Sequence, residues 1–142
     1  MRDLVLEDDP ILRKRCQLFD FDNPQEDPIK LTEELLNAME KYEGMGLSAC
    51  QIGVDLKVFV MRFNGDAIAC FNPRINHYSE ETTYTREGCL SYPGLFFPVI
   101  GVCRINFNCL AFSERPQHAN YYRYAATFEG QSVLQLTLYL EH

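Results

Sequence analysis

The most informative stretch of the chain reads Arg86-Glu87-Gly88-Cys89-Leu90-Ser91-Tyr92-Pro93-Gly94. Its glycines permit tight turns and close backbone approach, and its proline interrupts regular structure, so this stretch predicts a shaped loop. Cys89 lies in the middle of that loop, where a thiolate could bind a metal or attack a carbonyl carbon. A buried structural thiol is the alternative interpretation, because cysteine is among the most buried residue types.

The composition of the 142 residues, with 46% hydrophobic and 23% charged side chains, predicts a single globular domain over residues 1–142. A net charge of −7 without a basic run argues against direct binding to nucleic acid. No apolar run approaches the roughly 20 residues that a membrane span needs. The acidic N-terminus lacks an apolar signal region, which indicates a cytoplasmic protein. The six cysteines show no C-x-x-C spacing and are expected to be reduced.

A helix is predicted upstream, with Asp27 as its N-cap and Pro28 at its first position. Apolar residues three or four apart continue the helix from Ile29 to about Tyr42. Gly44 is expected to end it. An earlier turn or helix start is indicated by Asp9-Pro10.

The segment after this helix runs Gly44-Met45-Gly46-Leu47-Ser48-Ala49-Cys50-Gln51-Ile52-Gly53. Its residues are mostly small, which predicts a flexible stretch whose backbone can lie close to a ligand. A close-packed loop is the alternative. The glycine motifs that bind phosphates are not found in it, which argues against a nucleotide site.

The remainder of the chain shows strand patterns. A strand from Lys57 to Arg62, a hairpin turn at Asn64-Gly65 and a return strand from Ala67 to Phe71 are predicted, and Asn72-Pro73 is expected to end that strand. Further strands are predicted at 75–78, 82–84, 102–110 and 121–128. Alternating leucines at 134–140 also favour a strand.

Two stretches together resemble the first two motifs of the peptide deformylase family. They are Gly44 to Gln51 and the sequence Glu87-Gly88-Cys89-Leu90-Ser91, in this order, behind an N-terminal Asp-Pro-Ile-Leu-Arg and a helix. The likeness covers roughly residues 1 to 110. It implies an α+β fold in which antiparallel strands pack around a C-terminal helix, which carries a third motif, H-E-x-x-H.

The resemblance implies a metal-dependent hydrolase that removes the N-terminal formyl group from nascent formyl-Met polypeptides. This step belongs to N-terminal methionine processing in protein biosynthesis. The implied metal is Fe²⁺, with Zn²⁺ or Ni²⁺ as substitutes, and the implied partner is the formylated nascent peptide at the ribosome. The oligomeric state is not predicted.

The same resemblance implies roles for individual residues. Cys89 and His142 are expected to bind the metal, while the side-chain amide of Gln51 and the backbone N–H of Leu90 donate hydrogen bonds to the oxyanion. The expected substrate-binding residues are Gly44, Met45, Gly46, Glu87 and Gly88.

The third motif departs from the family pattern. Family spacing from Gly130 aligns His142 with the second histidine, so that Leu138 and Tyr139 stand where the first histidine and the catalytic glutamate are expected. Alternatively His142 is the first histidine. Neither alignment places a glutamate at the catalytic position. Two other functions therefore stay open: a catalytically silent deformylase-like protein that binds metal or formyl-peptide ends, and an amidase with Cys89 as nucleophile and His142 as base.

Overall fold

The described part of the chain consists of antiparallel strands, one α-helix and two short 3₁₀ helices. The computed structural model describes residues 2–63, 66–78, 80, 82–89, 92–102, 104–113 and 122–129. Within these ranges the strands are β1 (Gly46–Ser48), β2 (Val58–Phe63), β3 (Asp66–Tyr78), β4 (Thr82–Cys89), β5 (Tyr92–Val102), β6 (Arg104–Ser113) and β7 (Tyr122–Glu129), and the α-helix is α1 (Pro28–Lys41). Two short 3₁₀ helices cover Pro10–Arg13 and Ala49–Ile52.

The described strands form two sheets. One has five strands in the order β1-β2-β3-β6-β7, and the other is the hairpin of β4 and β5. All the strand pairs are antiparallel. The predicted α+β class is confirmed. The expected C-terminal helix and the alternating leucines at 134–140 lie outside the described residues.

Helix α1 begins where local chemistry predicts. The Asp27 carboxylate accepts hydrogen bonds from the backbone nitrogens of Ile29 and Lys30, at 2.9 and 3.3 Å. These bonds satisfy two of the backbone donors that a helix start leaves without a partner, and Pro28 has none to satisfy. One face of the helix is buried, through Leu31, Thr32, Leu35, Leu36, Ala38 and Met39.

The end of α1 differs slightly from the prediction. Glu43 takes the left-handed conformation, with φ of 55°, and not Gly44. The backbone nitrogen of Gly44 then donates to the oxygen of Met39 at 2.9 Å, and that of Glu43 donates to Glu40 at 3.1 Å. This bonding pattern is a Schellman motif, which satisfies the last carbonyls of the helix.

The hairpin of β2 and β3 confirms the two predicted strands around Asn64-Gly65, with Val58 opposite Phe71 and Phe63 opposite Asp66. The expectation that Asn72-Pro73 ends the second strand is wrong, because β3 continues to Tyr78 and includes the strand predicted at 75–78. A register shift against β6 falls between Phe71 and Arg74, and Asn72 has a φ of 52°. Such a bulge accommodates a proline that a regular ladder would exclude.

The loop predicted at 86–94 is largely wrong as well. Strand β4 continues through Cys89 and includes the predicted strand at 82–84, and β5 begins at Tyr92. Prolines are tolerated at sheet edges, and each strand of a two-stranded sheet has an outer edge. The strands predicted at 102–110 and 121–128 are confirmed as β6 and β7, although Val102 ends β5.

The five-stranded sheet is buried on both faces near β2 and β3. Alternating residues such as Val60 and Ala69 join α1 in one hydrophobic core. Phe59 and Cys70 alternate with them and are also buried, at 1% and 0% exposure. Gly46 and Ser48 of β1 lie on this second face by strand register. Along the described ranges no helix combines the length and apolarity of a membrane span.

Candidate active site

Within the segment from Gly44 to Gly53, residues 46–52 are buried, whereas Met45 is exposed. Gly46 to Ser48 form the edge strand β1, in register with Met61 to Phe59 of β2. The 3₁₀ helix Ala49–Ile52 follows, and all of its residues are buried. The small side chains allow this packing, so the backbone here is positioned by the core.

Gln51 is held at both its side chain and its backbone. It is buried, with 4% exposure. Its side-chain oxygen Oε1 accepts a hydrogen bond from the backbone nitrogen of Ser48 at 3.0 Å. Its backbone oxygen accepts from the nitrogen of Val5 at 2.9 Å. Because the oxygen of the Gln51 amide points to Ser48, the Nε2 group of the same amide points in another direction. A hydrogen-bond donor that stabilises developing charge must be held in a fixed orientation of this kind.

The turn after Gln51 depends on glycine. Gly53 has a φ of 82°, in the left-handed region, and its nitrogen donates to the oxygen of Cys50 at 3.0 Å. A side chain at this position would be strained, because left-handed conformations cost most residues roughly 1–2 kcal/mol. The glycine therefore closes the short helix that carries Gln51.

The predicted substrate-binding residues Gly44, Met45 and Gly46 lie along the approach to β1. Met45 is an exposed hydrophobic residue, with 66% exposure. Its oxygen accepts a hydrogen bond from the nitrogen of Arg62 at 3.0 Å. Since hydrogen-bonded residues alternate in an antiparallel pair, the backbone groups of Gly46 point to the outer edge of the sheet.

The residues of the second predicted motif end strand β4. Glu87 and Gly88 are paired with Phe97 and Phe96 of β5, and Cys89 is paired with Tyr92 across a register shift. The predicted oxyanion donor Leu90 lies outside the described residues, as does His142.

No metal centre is formed by the side chains that the structure describes. Among them, no three His, Cys, Asp or Glu residues gather closely enough to hold an ion. The side chain of Cys89 and the residue His142 are not among those described. Their role as ligands stays a prediction.

Two features were not anticipated from the sequence. One is the bond from Ser48 to Gln51, although the spacing Ser-x-x-Gln is a known helix-start signature in which the glutamine side chain reaches back to the first residue. The other is the influence of the buried Cys50 on the buried Cys16, which lowers the pKa of the Cys16 thiol. Their 34-residue separation offers no local signal.

Comparisons with known proteins agree with the two motifs. The family model described as polypeptide deformylase matches residues 1–128. A peptide deformylase of Thermotoga petrophila is 38% identical over 92 residues, which cover 64% of this chain and 54% of that relative. The matched region of this chain therefore spans about half the length of this relative.

Solved structures show the same likeness over the whole chain. The crystal structure of peptide deformylase from Thermotoga maritima aligns with a TM-score of 0.82 and 28% identity, covering 99% of this chain and 92% of that one. The peptide deformylase from Legionella pneumophila aligns with a TM-score of 0.84 and 26% identity, covering 100% and 80%. With most of its length matched by the family model, the chain belongs to the polypeptide deformylase family.

Proposed function

We propose that the chain is a metal-dependent hydrolase that removes the N-terminal formyl group from nascent formyl-Met polypeptides. Family membership supports this activity. The structural observation that carries it is the buried Gln51 amide, whose oxygen is held by the Ser48 backbone nitrogen. A polar side chain fixed in this way can stabilise charge without reorganising during the reaction.

The reaction places defined demands on the chain. Water adds to the formyl carbon, the carbon–nitrogen bond breaks, and formate and a free α-amine are released. Negative charge develops on the formyl oxygen in between. In this proposal the Nε2 group of Gln51 and the backbone N–H of Leu90 donate hydrogen bonds to that oxygen, and one such donor contributes roughly 10² to 10³ in rate.

A divalent metal is part of the proposal, and family likeness favours Fe²⁺ over Zn²⁺ or Ni²⁺. Cys89 and His142 would hold it, because a thiolate and an imidazole suit these metals. They are two donors, whereas catalytic sites of this type usually have three, so a third protein ligand remains to be assigned. When bound, the metal would activate the attacking water.

Substrate binding is proposed at the edge strand β1. An extended peptide can add to a sheet edge through its backbone, and β1 is the outermost strand of the described five-stranded sheet. The exposed thioether of Met45 would pack against the methionine side chain, next to Gly44. Glu87 and Gly88 are proposed to contact the substrate from the end of β4.

The whole chain, residues 1–142, is proposed as one domain that acts in the cytoplasm. Its partner is the formylated nascent peptide at the ribosome. Direct contact with nucleic acid is not part of the proposal, since the net charge of −7 opposes it.

The test is hydrolysis of a formyl-methionyl peptide by chain purified anaerobically and supplied with Fe²⁺. We expect turnover that a chelator abolishes, and an acetyl-methionyl peptide serves as the matched control substrate. Cys89→Ala should lose both metal and turnover, while Cys70→Ala, at a thiol outside the proposed site, should keep them. Metal binding without turnover would favour the silent alternative. Turnover that persists without metal but needs Cys89 would favour the amidase.

A further inference from the structure

Residues 2–5 lie against the 3₁₀ helix that carries Gln51. The backbone nitrogen of Val5 donates a hydrogen bond to the backbone oxygen of Gln51 at 2.9 Å. Val5 also lies beside the end of this helix, because a Cβ atom placed on Gly53 would be 3.5 Å from Val5 Cγ1. Val5 is half-buried. A residue distant in the sequence thus meets both Gln51 and the glycine turn that follows it.

The bond from Val5 reaches a carbonyl at the end of a very short helix. The oxygens of Ala49 and Cys50 accept hydrogen bonds from backbone nitrogens at the C-terminal end of this helix, both at 3.0 Å. The oxygen of Gln51 accepts from outside the helix, from the nitrogen of Val5. A 3₁₀ helix of one turn has few bonds of its own and poorer hydrogen-bond geometry than an α-helix. Contacts from outside therefore contribute to its orientation.

Arg2 anchors the other end of the 2–5 segment near helix α1. Its backbone nitrogen donates to Glu34 Oε1 at 2.9 Å, and its Nη1 donates to Glu34 Oε2 at 3.2 Å. Its Nη2 donates to Glu26 Oε1, just before the helix, at 2.6 Å. Because the bonds to Glu34 engage both carboxylate oxygens, they fix the orientation of Arg2 as well as its distance from α1.

Asp3 and Leu4 hold the segment between these two ends. Asp3 Oδ1 accepts from Lys41 Nζ at 3.0 Å and from the Tyr42 hydroxyl at 3.2 Å. These partners lie about two turns further along α1 than Glu34 does. Leu4 packs against the hydrophobic core. The segment therefore connects α1 directly to the short helix, in addition to the connection that the chain makes through β1.

We propose that residues 2–5 position the Gln51 amide, with Val5 as the positioning residue that bonds to Gln51 directly. Ser48 holds the side-chain oxygen of Gln51 and Val5 holds its backbone oxygen, so two separate parts of the chain fix the direction of Nε2. This role rests on the proposed function, in which Nε2 meets the developing charge. Such a donor must be in place before the reaction, and a misplacement of about 1 Å can lower the rate by roughly 10².

Removal of the Val5 N–H group tests this role. The peptide 1–15 is synthesised as a thioester, ligated in denaturant to a recombinant chain that begins at Cys16, and the full chain is refolded. In the test chain α-hydroxyisovaleric acid replaces Val5, so that an ester oxygen stands in place of the N–H donor. With Fe²⁺ and a formyl-methionyl peptide, we expect kcat to fall about tenfold and KM to stay unchanged, because Val5 acts only through a group that works in the transition state.

The matched control carries the same ester one residue later, at the exposed Leu6. This chain has the same backbone chemistry but keeps the bond between Val5 and Gln51, so its kcat should equal that of the all-amide ligated chain. An equal fall in kcat in the two ester chains would overturn the proposal, since the ester and not the lost bond would then be the cause. An unchanged kcat in the Val5 ester chain would overturn it as well.

Side-chain variants test the anchor of the segment on α1. Asp3→Ala removes the acceptor for Lys41 and Tyr42, and we expect kcat to fall only about two- to threefold, because exposed ion pairs stabilise weakly. Asp3→Asn keeps an oxygen acceptor and should recover most of this loss. Asp8→Ala removes an exposed carboxylate beyond the segment and should leave kcat unchanged. Equal kcat values for Asp3→Ala and Asp8→Ala would contradict the anchoring role of Asp3.

A nuclear magnetic resonance measurement follows the Gln51 amide without any assay of activity. The recombinant part of the ligated chain is labelled with ¹⁵N, and the side-chain signals of Gln51 are assigned by their loss in Gln51→Leu. We expect the Nε2 signals to shift in the Val5 ester chain and to stay in place in the Leu6 ester chain. Unshifted Gln51 signals in the Val5 ester chain would refute the positioning role. An all-amide chain without turnover would instead count against the proposed function, and these signals would still decide whether Val5 orients the amide.

Discussion

The backbone nitrogen of Ser48 donates a hydrogen bond to the side-chain oxygen of Gln51 at 3.0 Å, and both residues are buried. This bond ties the end of strand β1 to the short helix that follows it. It also commits the oxygen end of the amide to Ser48. One contact thus supports the local fold and orients the proposed oxyanion donor.

Replacing Gln51 should separate these two roles. Gln51→Leu removes both the acceptor for Ser48 and the Nε2 donor, so we expect kcat to fall about 10²- to 10³-fold and stability to fall by about 1–3 kcal/mol. Gln51→Glu keeps an oxygen for Ser48 but not the amide donor, and should lose kcat to a similar degree. Steady-state kinetics and urea unfolding measure the two effects.

Gln25→Leu is the matched control for the effect of Gln51→Leu on kcat, because Gln25 is exposed and lies in the segment before α1. It should leave kcat unchanged. A Gln51→Leu chain with normal kcat would contradict the assigned role of the amide.

Asn72 should be a strong stabilising residue. Its side chain accepts from the Phe19 nitrogen at 2.7 Å and donates to the Phe19 oxygen at 2.9 Å. Phe19 in turn packs its ring against Phe71 at 5.0 Å between centroids. Asn72→Ala removes both bonds and adds the strain of a left-handed φ, so we expect a loss of about 2–4 kcal/mol in the free energy of unfolding.

Asn72→Gly tests the two causes separately, since glycine relieves the backbone strain but not the lost bonds. It should destabilise less than Asn72→Ala. Asn37→Ala, at an exposed position of α1, should change stability by less than about 0.5 kcal/mol. Equal stability of Asn72→Ala and Asn37→Ala would disprove the anchoring role.

Glu43 offers a stabilising substitution. It ends α1 with a φ of 55°, where a side chain costs roughly 1 kcal/mol and glycine does not. Glu43→Gly should therefore raise the free energy of unfolding by about 1 kcal/mol. Glu33→Gly, in the exposed middle of the same helix, should lower it by about the same amount. Urea unfolding of the Glu43→Gly and Glu33→Gly variants measures both effects. A loss of stability in both variants would show that the end of α1 is not strained.

Asp55 should make stability depend on pH. The hydrogen bond and charge of Lys14 lower the pKa of the Asp55 carboxyl, with further bonds from Gln17. The folded state therefore binds fewer protons at Asp55 than the unfolded state does in acid, so this stabilisation is present above about pH 4 and is lost as pH falls through the lowered pKa.

The expected size is small, about 0.5 kcal/mol, because the pair is largely solvated. Asp55→Asn should be less stable than wild type at pH 6 and should show a shallower fall in melting temperature between pH 5 and pH 2.5. Glu33→Gln, on the exposed face of α1, provides the comparison for removing a carboxylate. An equal fall in melting temperature for wild type and Asp55→Asn across this pH range would show that Asp55 does not make stability depend on pH.

The start of α1 and the strands β2 and β3 could be predicted because their signals are local. Asp27 caps nitrogens two and three residues away, and apolar runs flank Asn64-Gly65, which itself lies outside the described residues. The two motifs likewise identify the family from contiguous residues. Locally encoded features of this kind need no partner from elsewhere in the chain.

The sequence by itself thus determined the helix, the hairpin, the family and the residues to consider at the site. Only the tertiary structure decided that β3 passes through Pro73, that Cys89 ends a strand, and that Asn72 binds the backbone of Phe19. The reason is that strand pairing and long-range hydrogen bonds join residues distant in the chain. Their energy depends on which partners the fold brings together, and local patterns carry no information about that choice.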